Sequence, residues 1–129
     1  FVKSVHNIIE YVYLQGLAEG TELLNNFKQP IDMVKATSVW RPASVINSWL
    51  LDLENTALKR PDFKKISPKI GSVTIEELKK TAKAVKGYVP AFETAVKIRE
   101  DKSKKFILGK RTIAAIRREF GGHAVKKNG

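Results

Sequence analysis

Apolar residues recur along this chain at helical spacing, and no stretch alternates in the way a half-buried strand would. Over residues 1–26, Val5, Ile8, Ile9 and Val12 fall on one side and Asn25 and Asn26 close the run, which predicts one long helix. Pro30 is expected to restart the chain at a first helical position, opening a short helix to about Val39. Pro42 is expected to do the same for a run in which Val45, Ile46, Trp49, Leu50, Leu53 and Ala57 recur until Pro61 stops it. Residues 62–72, broken by Pro68 and Gly71, read as a loop. Thr74 with Glu77 three residues later spells a capping box, and the helix it opens should end at Gly87. Pro90 opens a further helix to about Ser103, and a last one over about 106–120 ends at the Gly121-Gly122 pair. The fold class is therefore all-α: one domain over residues 1–129, about six helices with a long first one, and an exposed tail over 123–129.

Composition narrows the setting more than the activity. The formal charge of +11, from 24 Lys and Arg against 13 Asp and Glu, gives a positive field that attracts anions. A solvated Lys-rich surface, a nucleic acid and a phosphorylated small molecule are all compatible with it. Without cysteine there is neither a disulfide framework nor a thiolate metal site, and a reducing compartment such as the cytoplasm is the simplest setting. No stretch reaches the ~20 apolar residues of a membrane helix, because Glu10 and Glu19 interrupt the best candidate and Asp52 and Glu54 the next. The chain opens on Phe1, already in helical pattern, and reads as a piece of something longer.

The first helix carries the chemistry. Lys3, His6, Asn7 and Glu10 stand at i, i+3, i+4 and i+7 and so share one face, with Tyr11 at its edge. A polar helix face is commonplace, but Asn and His are mediocre helix formers that solvent exposure alone gives no reason to place side by side. A lysine of lowered pKa can take a proton from a hydroxyl while a hydride leaves the same carbon, and a nearby acid can return a proton later. Asn and His can orient hydroxyls. Two histidines and no cysteine make a poor metal-ligand set, so no metal is expected.

The run Phe1-Val2-Lys3-Ser4-Val5-His6-Asn7-Ile8-Ile9-Glu10-Tyr11 resembles the F-V-K-M-V-H-N-G-I-E-Y signature of the 6-phosphogluconate dehydrogenases. Arg117-Arg118-Glu119-Phe120-Gly121-Gly122-His123 resembles the family's closing R-N-E-F-G-G-H, and residues 44–53, SVINSWLLDL, resemble the S-V-I-R-S-W-L-L-E-L of its short branch. The resemblance implies an all-helical C-terminal domain that supplies the substrate site and the dimer interface of an NADP- or NAD-dependent, decarboxylating dehydrogenase. Its pathway would be the pentose phosphate route or gluconate utilization. Lys3 would then be the general base and Glu10 the acid that protonates the enediol. His6 and Asn7 would contact the hydroxyls and carboxylate of a phosphorylated sugar acid. Tyr11 would lie near the phosphate, with Arg99 at the position of a phosphate-binding arginine. Arg117 and His123 would reach into the partner subunit's active site, which implies a homodimer.

Two departures from the family pattern bear on the substrate. Ile8 stands where the family has Gly, beside Asn7, and Gly71-Ser72-Val73-Thr74 replaces a G-K/R-W-T segment, so Ser72 takes the place of a basic phosphate contact. A hydroxy-acid dehydrogenase is thereby better supported than 6-phosphogluconate itself as substrate. No strand leading into G-x-G-x-x-G is present, so the cofactor is expected to sit mainly on a nucleotide-binding domain ahead of residue 1, and the fragment alone to be inactive. Two other readings compete. A basic helical nucleic-acid module would use Lys102, Lys104, Lys105, Lys110, Arg111, Arg117 and Arg118 on phosphates, but it explains the charge and not the polar stripe. A degenerate relative would keep the fold only as a dimerisation scaffold.

Overall fold

A computed structural model describes residues 1–71, 74–122 and 124–127 of the chain. Among these residues there are six α-helices and no strand: α1 (Val2–Asn26), α2 (Met33–Trp40), α3 (Trp49–Lys59), α4 (Ile75–Ala84), α5 (Pro90–Glu100) and α6 (Ile107–Gly121). A single 3-10 turn, Phe63–Lys65, interrupts the segment between α3 and α4. The all-α class and the long first helix are as the periodicity predicts.

Several helix ends differ from expectation, each for a local reason. α2 starts three residues after Pro30 because the Asp32 side chain accepts from the Lys35 N–H at 3.0 Å, satisfying an orphan donor of the first turn. Pro42 does not open α3 either. Residues 41–46 form turns, Val45 is fully exposed, and Ser48 caps the helix by accepting from the Leu51 N–H at 3.1 Å. Thr74 is the residue before α4, but its backbone lies near φ −97°, ψ −3°, not extended, and its side chain makes no capping bond. At the other end of α4 the left-handed residue is Lys86 (φ 54°), not Gly87, whose N–H instead reaches back to the Ala82 carbonyl at 2.8 Å. Pro90 does open α5, and Gly122, at φ 61°, closes α6 as a glycine can.

α1 lies at the centre of the packing. Its Tyr11 joins Ile75 and Leu78 of α4 and Phe92, Ala95 and Val96 of α5, while Leu14 and Ala18 join Ile113 and Ile116 of α6. On its other side α6 packs Ala114 and Ala115 against Ala57, Phe63 and Ile66. Glu22 fixes the α1–α6 crossing by accepting the Gly109 N–H at 2.8 Å, in the first turn of α6, where a carboxylate meets the positive end of the helix dipole. A Cβ at Gly109 would stand 2.2 Å from the Phe106 ring, so that ring would have to move to admit one. α2 is held to α3 by polar contacts, with the buried Asn55 amide nitrogen within hydrogen-bond distance of the Val34 carbonyl, Thr37 Oγ1 and Ser38 Oγ while its oxygen accepts from Arg41.

The chain closes back on itself beyond α6. Arg118 forms a two-pronged pair with Asp62 (2.8 and 3.0 Å), which Lys127 joins at 3.0 Å, and Arg60 grips Glu119 in the same way. These partners hold the Asp62 carboxyl well below the usual carboxylate range. The Ser67 N–H donates to the Lys126 carbonyl at 2.7 Å and Val125 packs on the Ala57 cluster, so residues 124–127 run along the Ile66 segment with Ala124, Lys126 and Lys127 exposed.

Candidate functional site

The polar stripe of α1 lies in register with residues that the rest of the helix buries. Lys3, Asn7 and Glu10 continue at heptad-like spacing into Leu14, Ala18 and Thr21, all three of which are in the core. The first turns thus carry polar groups on the side facing the rest of the molecule, and Val5, Ile9 and Val12 face outward, Ile9 being 59% exposed. Ile8 alone of the apolar quartet packs, against the Tyr11 cluster. Lys3 and His6 are exposed, while Asn7 and Glu10 are half-buried. His6 Nδ1 and Asn7 Oδ1 are 3.1 Å apart. The tautomer with its proton on Nδ1 donates to that amide oxygen and leaves Nε2 as an acceptor.

Arg99 reaches this stripe from α5. Its guanidinium carbon lies 3.7 Å from the centroid of the Tyr11 ring, and that ring is itself held edge-on by Phe92 at 5.5 Å. Only 6% of Arg99 is exposed, and its Nη2 is a buried donor with no hydrogen-bond partner. Burial pushes its pKa down to about 10, with Tyr11 and Glu10 acting the other way and Arg117 adding to the depression. The group is charged at neutral pH. A buried cation with an unmet donor is costly in a folded chain and marks a position suited to an anion.

Arg99 also helps to line a cleft of about 880 Å³ between residues 68–71, the end of α5, the start of α6 and Ala124 and Lys126. Lys69, Lys102, Lys104, Lys110 and Lys126 share its walls with Glu100 and Asp101. That size lies in the range of small-molecule sites. Arg117 donates Nη1 to the carbonyl of Gly71 in the same wall at 3.0 Å. One chain therefore brings together Tyr11, Glu10, Arg99 and Arg117. Ser72 and His123 lie outside the described residues. Of the arginines that a nucleic-acid surface would need, Arg111 is bound to the Ile66 carbonyl and Arg118 to Asp62. Sequence reasoning missed the cleft, because its lysines come from segments whose convergence no local spacing signals.

No protein-family model matches the chain. It is 34% identical over 133 residues to YqeC of Bacillus subtilis, a protein named as a candidate 6-phosphogluconate dehydrogenase. That match covers 98% of this chain and 43% of the relative, in its C-terminal part. It is also 39% identical over 59 residues to an NAD(+)-dependent, decarboxylating 6-phosphogluconate dehydrogenase of Haloferax volcanii, covering 46% of this chain and 20% of that protein. The chain spans less than half the length of the curated relatives it matches. Among the described residues no helix is long and apolar enough to cross a membrane. All-helical and matched almost from end to end by the C-terminal part of such a relative, the chain belongs to the 6-phosphogluconate dehydrogenase family.

Proposed function

We propose that this chain is the substrate-binding, subunit-joining part of an NAD- or NADP-dependent, decarboxylating dehydrogenase that acts on a phosphorylated sugar acid. The observation that carries the reading is the buried Arg99, stacked on Tyr11 with an unmet Nη2 donor, at the foot of the Lys3-His6-Asn7-Glu10 stripe. With the phosphate at Arg99 and Tyr11, the sugar acid extends along α1. Lys3 takes the hydroxyl proton and Glu10 returns one to the carbon that loses carboxylate. Asn7 orients His6 so that Nε2 accepts from a substrate hydroxyl.

A nicotinamide dinucleotide supplies the hydride acceptor when bound. The described residues contain no strand leading into a glycine-rich helix start, the unit that cradles a pyrophosphate. This chain's share of the chemistry is therefore the substrate side, and the dinucleotide belongs to a separate nucleotide-binding domain. The outward row Val2, Val5, Ile9 and Val12, with Trp49 at 65% exposure, supports a homodimer, since apolar surface of that kind is normally covered.

Calorimetric titration tests the reading. The chain is expected to bind 6-phosphogluconate with a millimolar dissociation constant and gluconate, which lacks the phosphate, roughly tenfold more weakly or worse. Arg99→Met, which keeps an apolar stem in the buried slot, should abolish the preference. Equal affinity for the two ligands in the wild-type chain would overturn the phosphate assignment.

A further inference from the structure

Another cleft, of about 410 Å³, lies where the last turn of α1, the start of α2, the end of α3 and the start of α6 meet around the 3-10 turn. Its size is within the range of small-molecule sites. Asn25 in its wall and Lys3 of the polar stripe stand at opposite ends of α1, roughly 33 Å apart along the helix axis. Met33, Val34, Leu58 and Leu108 form apolar walls over a buried Phe63. Leu58 and Leu108 pack into the Ala57-Phe63 cluster, so the core fixes that side, while Met33 is unbranched and can refit to what enters.

The charges of this cleft are Lys64, Arg111 and Asp32. Asp32 is turned to its own helix, where its carboxylate accepts the Lys35 N–H at 3.0 Å. Arg111 is half-buried, and its Nε donates to the Ile66 carbonyl at 2.7 Å. That bond fixes the plane of the guanidinium and uses one of its five donors, which leaves its two-nitrogen end for a planar acceptor.

We infer that this cleft binds a small carboxylic acid with an apolar body. The carboxylate pairs with Arg111 and Lys64, and the body lies on Phe63 between Leu58, Leu108 and Met33. A carboxylate suits the cleft better than a phosphate dianion, because its two oxygens match one guanidinium edge and the apolar walls offer no donor to a third. The site is separate from the phosphate site proposed above and stands or falls without it.

The probes are phenylpropionate and its neutral counterpart phenylpropionamide, titrated into the chain while the Met33 methyl resonance is followed by NMR. Met33 is the chain's single methionine, so one labelled methyl group reports on this cleft. The acid should shift it saturably, with a dissociation constant in the millimolar range, and the amide should bind roughly tenfold more weakly or worse. Arg111→Met, which keeps an apolar stem in place, should bring the two ligands to equal affinity. Lys64 is exposed, so Lys64→Ala leaves the fold intact; it should weaken the acid about threefold and leave the amide unchanged. Equal affinity for acid and amide in the wild-type chain overturns the carboxylate assignment, and the absence of any saturable shift with the acid overturns the site. A Met33 resonance that moves with protein concentration in the absence of ligand also overturns it, because a second copy of the chain then covers the cleft.

Discussion

Glu54 is a carboxyl group that the fold stores in its neutral form, and replacing it with glutamine should make the chain's stability less dependent on pH. Its side chain is 2% exposed, between α1 and α3, with Thr21 Oγ1 as its hydrogen-bond partner. The same Thr21 hydroxyl donates to the Leu17 carbonyl at 3.0 Å. One hydroxyl proton cannot serve both acceptors, and a protonated Glu54 resolves this by donating to Thr21 Oγ1. Burial raises the Glu54 pKa from 4.5 to about 7, with the Thr21 bond pulling the other way. The folded state thus holds this proton more tightly than the unfolded chain does. The stabilisation is complete below about pH 4.5, falls away as pH rises towards 7, and stays lost above it. A shift of that size corresponds to about 3 kcal/mol at 1.36 kcal/mol per unit. Glu54→Gln keeps the shape and a hydrogen bond to Thr21 but cannot ionise. Urea unfolding of both proteins at pH 5 and pH 8 isolates the effect, because every other titrating group cancels in the difference. The variant should gain about 2–3 kcal/mol on the wild type between the two pH values. A difference that is the same at pH 5 and pH 8 would refute the buried neutral carboxyl.

Two further outcomes are expected. In a chain that carries the nucleotide-binding domain, Lys3→Met should abolish turnover while substrate affinity stays within about tenfold, the mark of a group acting mainly in the transition state; steady-state and binding measurements on one preparation decide it, and undiminished turnover removes Lys3 from the mechanism. Ile9→Asp, on the outward face of α1, should convert a sedimenting dimer to monomer with little change in the chain's helical circular dichroism, whereas a wild-type chain that is already monomeric at micromolar concentration contradicts the proposed interface.

Helix content was legible wherever one local rule acted alone. Pro90 opens α5 and Gly122 closes α6 because a fixed φ suits a first turn and a left-handed one suits a glycine. Where two local rules competed the reading failed. Pro30 and Pro42 lost to Asp32 and Ser48, whose side chains satisfy backbone donors, and Lys86 took the conformation that Gly87 was expected to hold. The stripe of α1 was readable from spacing, but not which side would be covered. Val5, Ile9 and Val12 look like a core face and stand outside, because α4, α5 and α6 pack on the Tyr11-Leu14-Ala18 side. Arg99 was nameable only through the family resemblance, since its burial depends on Tyr11, far away in sequence.

The way α1 is anchored has a mechanical consequence. Tyr11 and the turns after it are clamped from several directions, whereas Phe1, Val2 and Lys3 project with exposed side chains. A helix rises 1.5 Å per residue, so Lys3 sits on an arm of roughly 12 Å beyond the Tyr11 fulcrum. A tilt of about 5° at that fulcrum swings Lys3 through ~1 Å, and an error of that size in a reacting group can cost about a hundredfold in rate. Substitutions under the fulcrum, at Phe92 or Leu78, can therefore displace Lys3, the proposed base, without touching it.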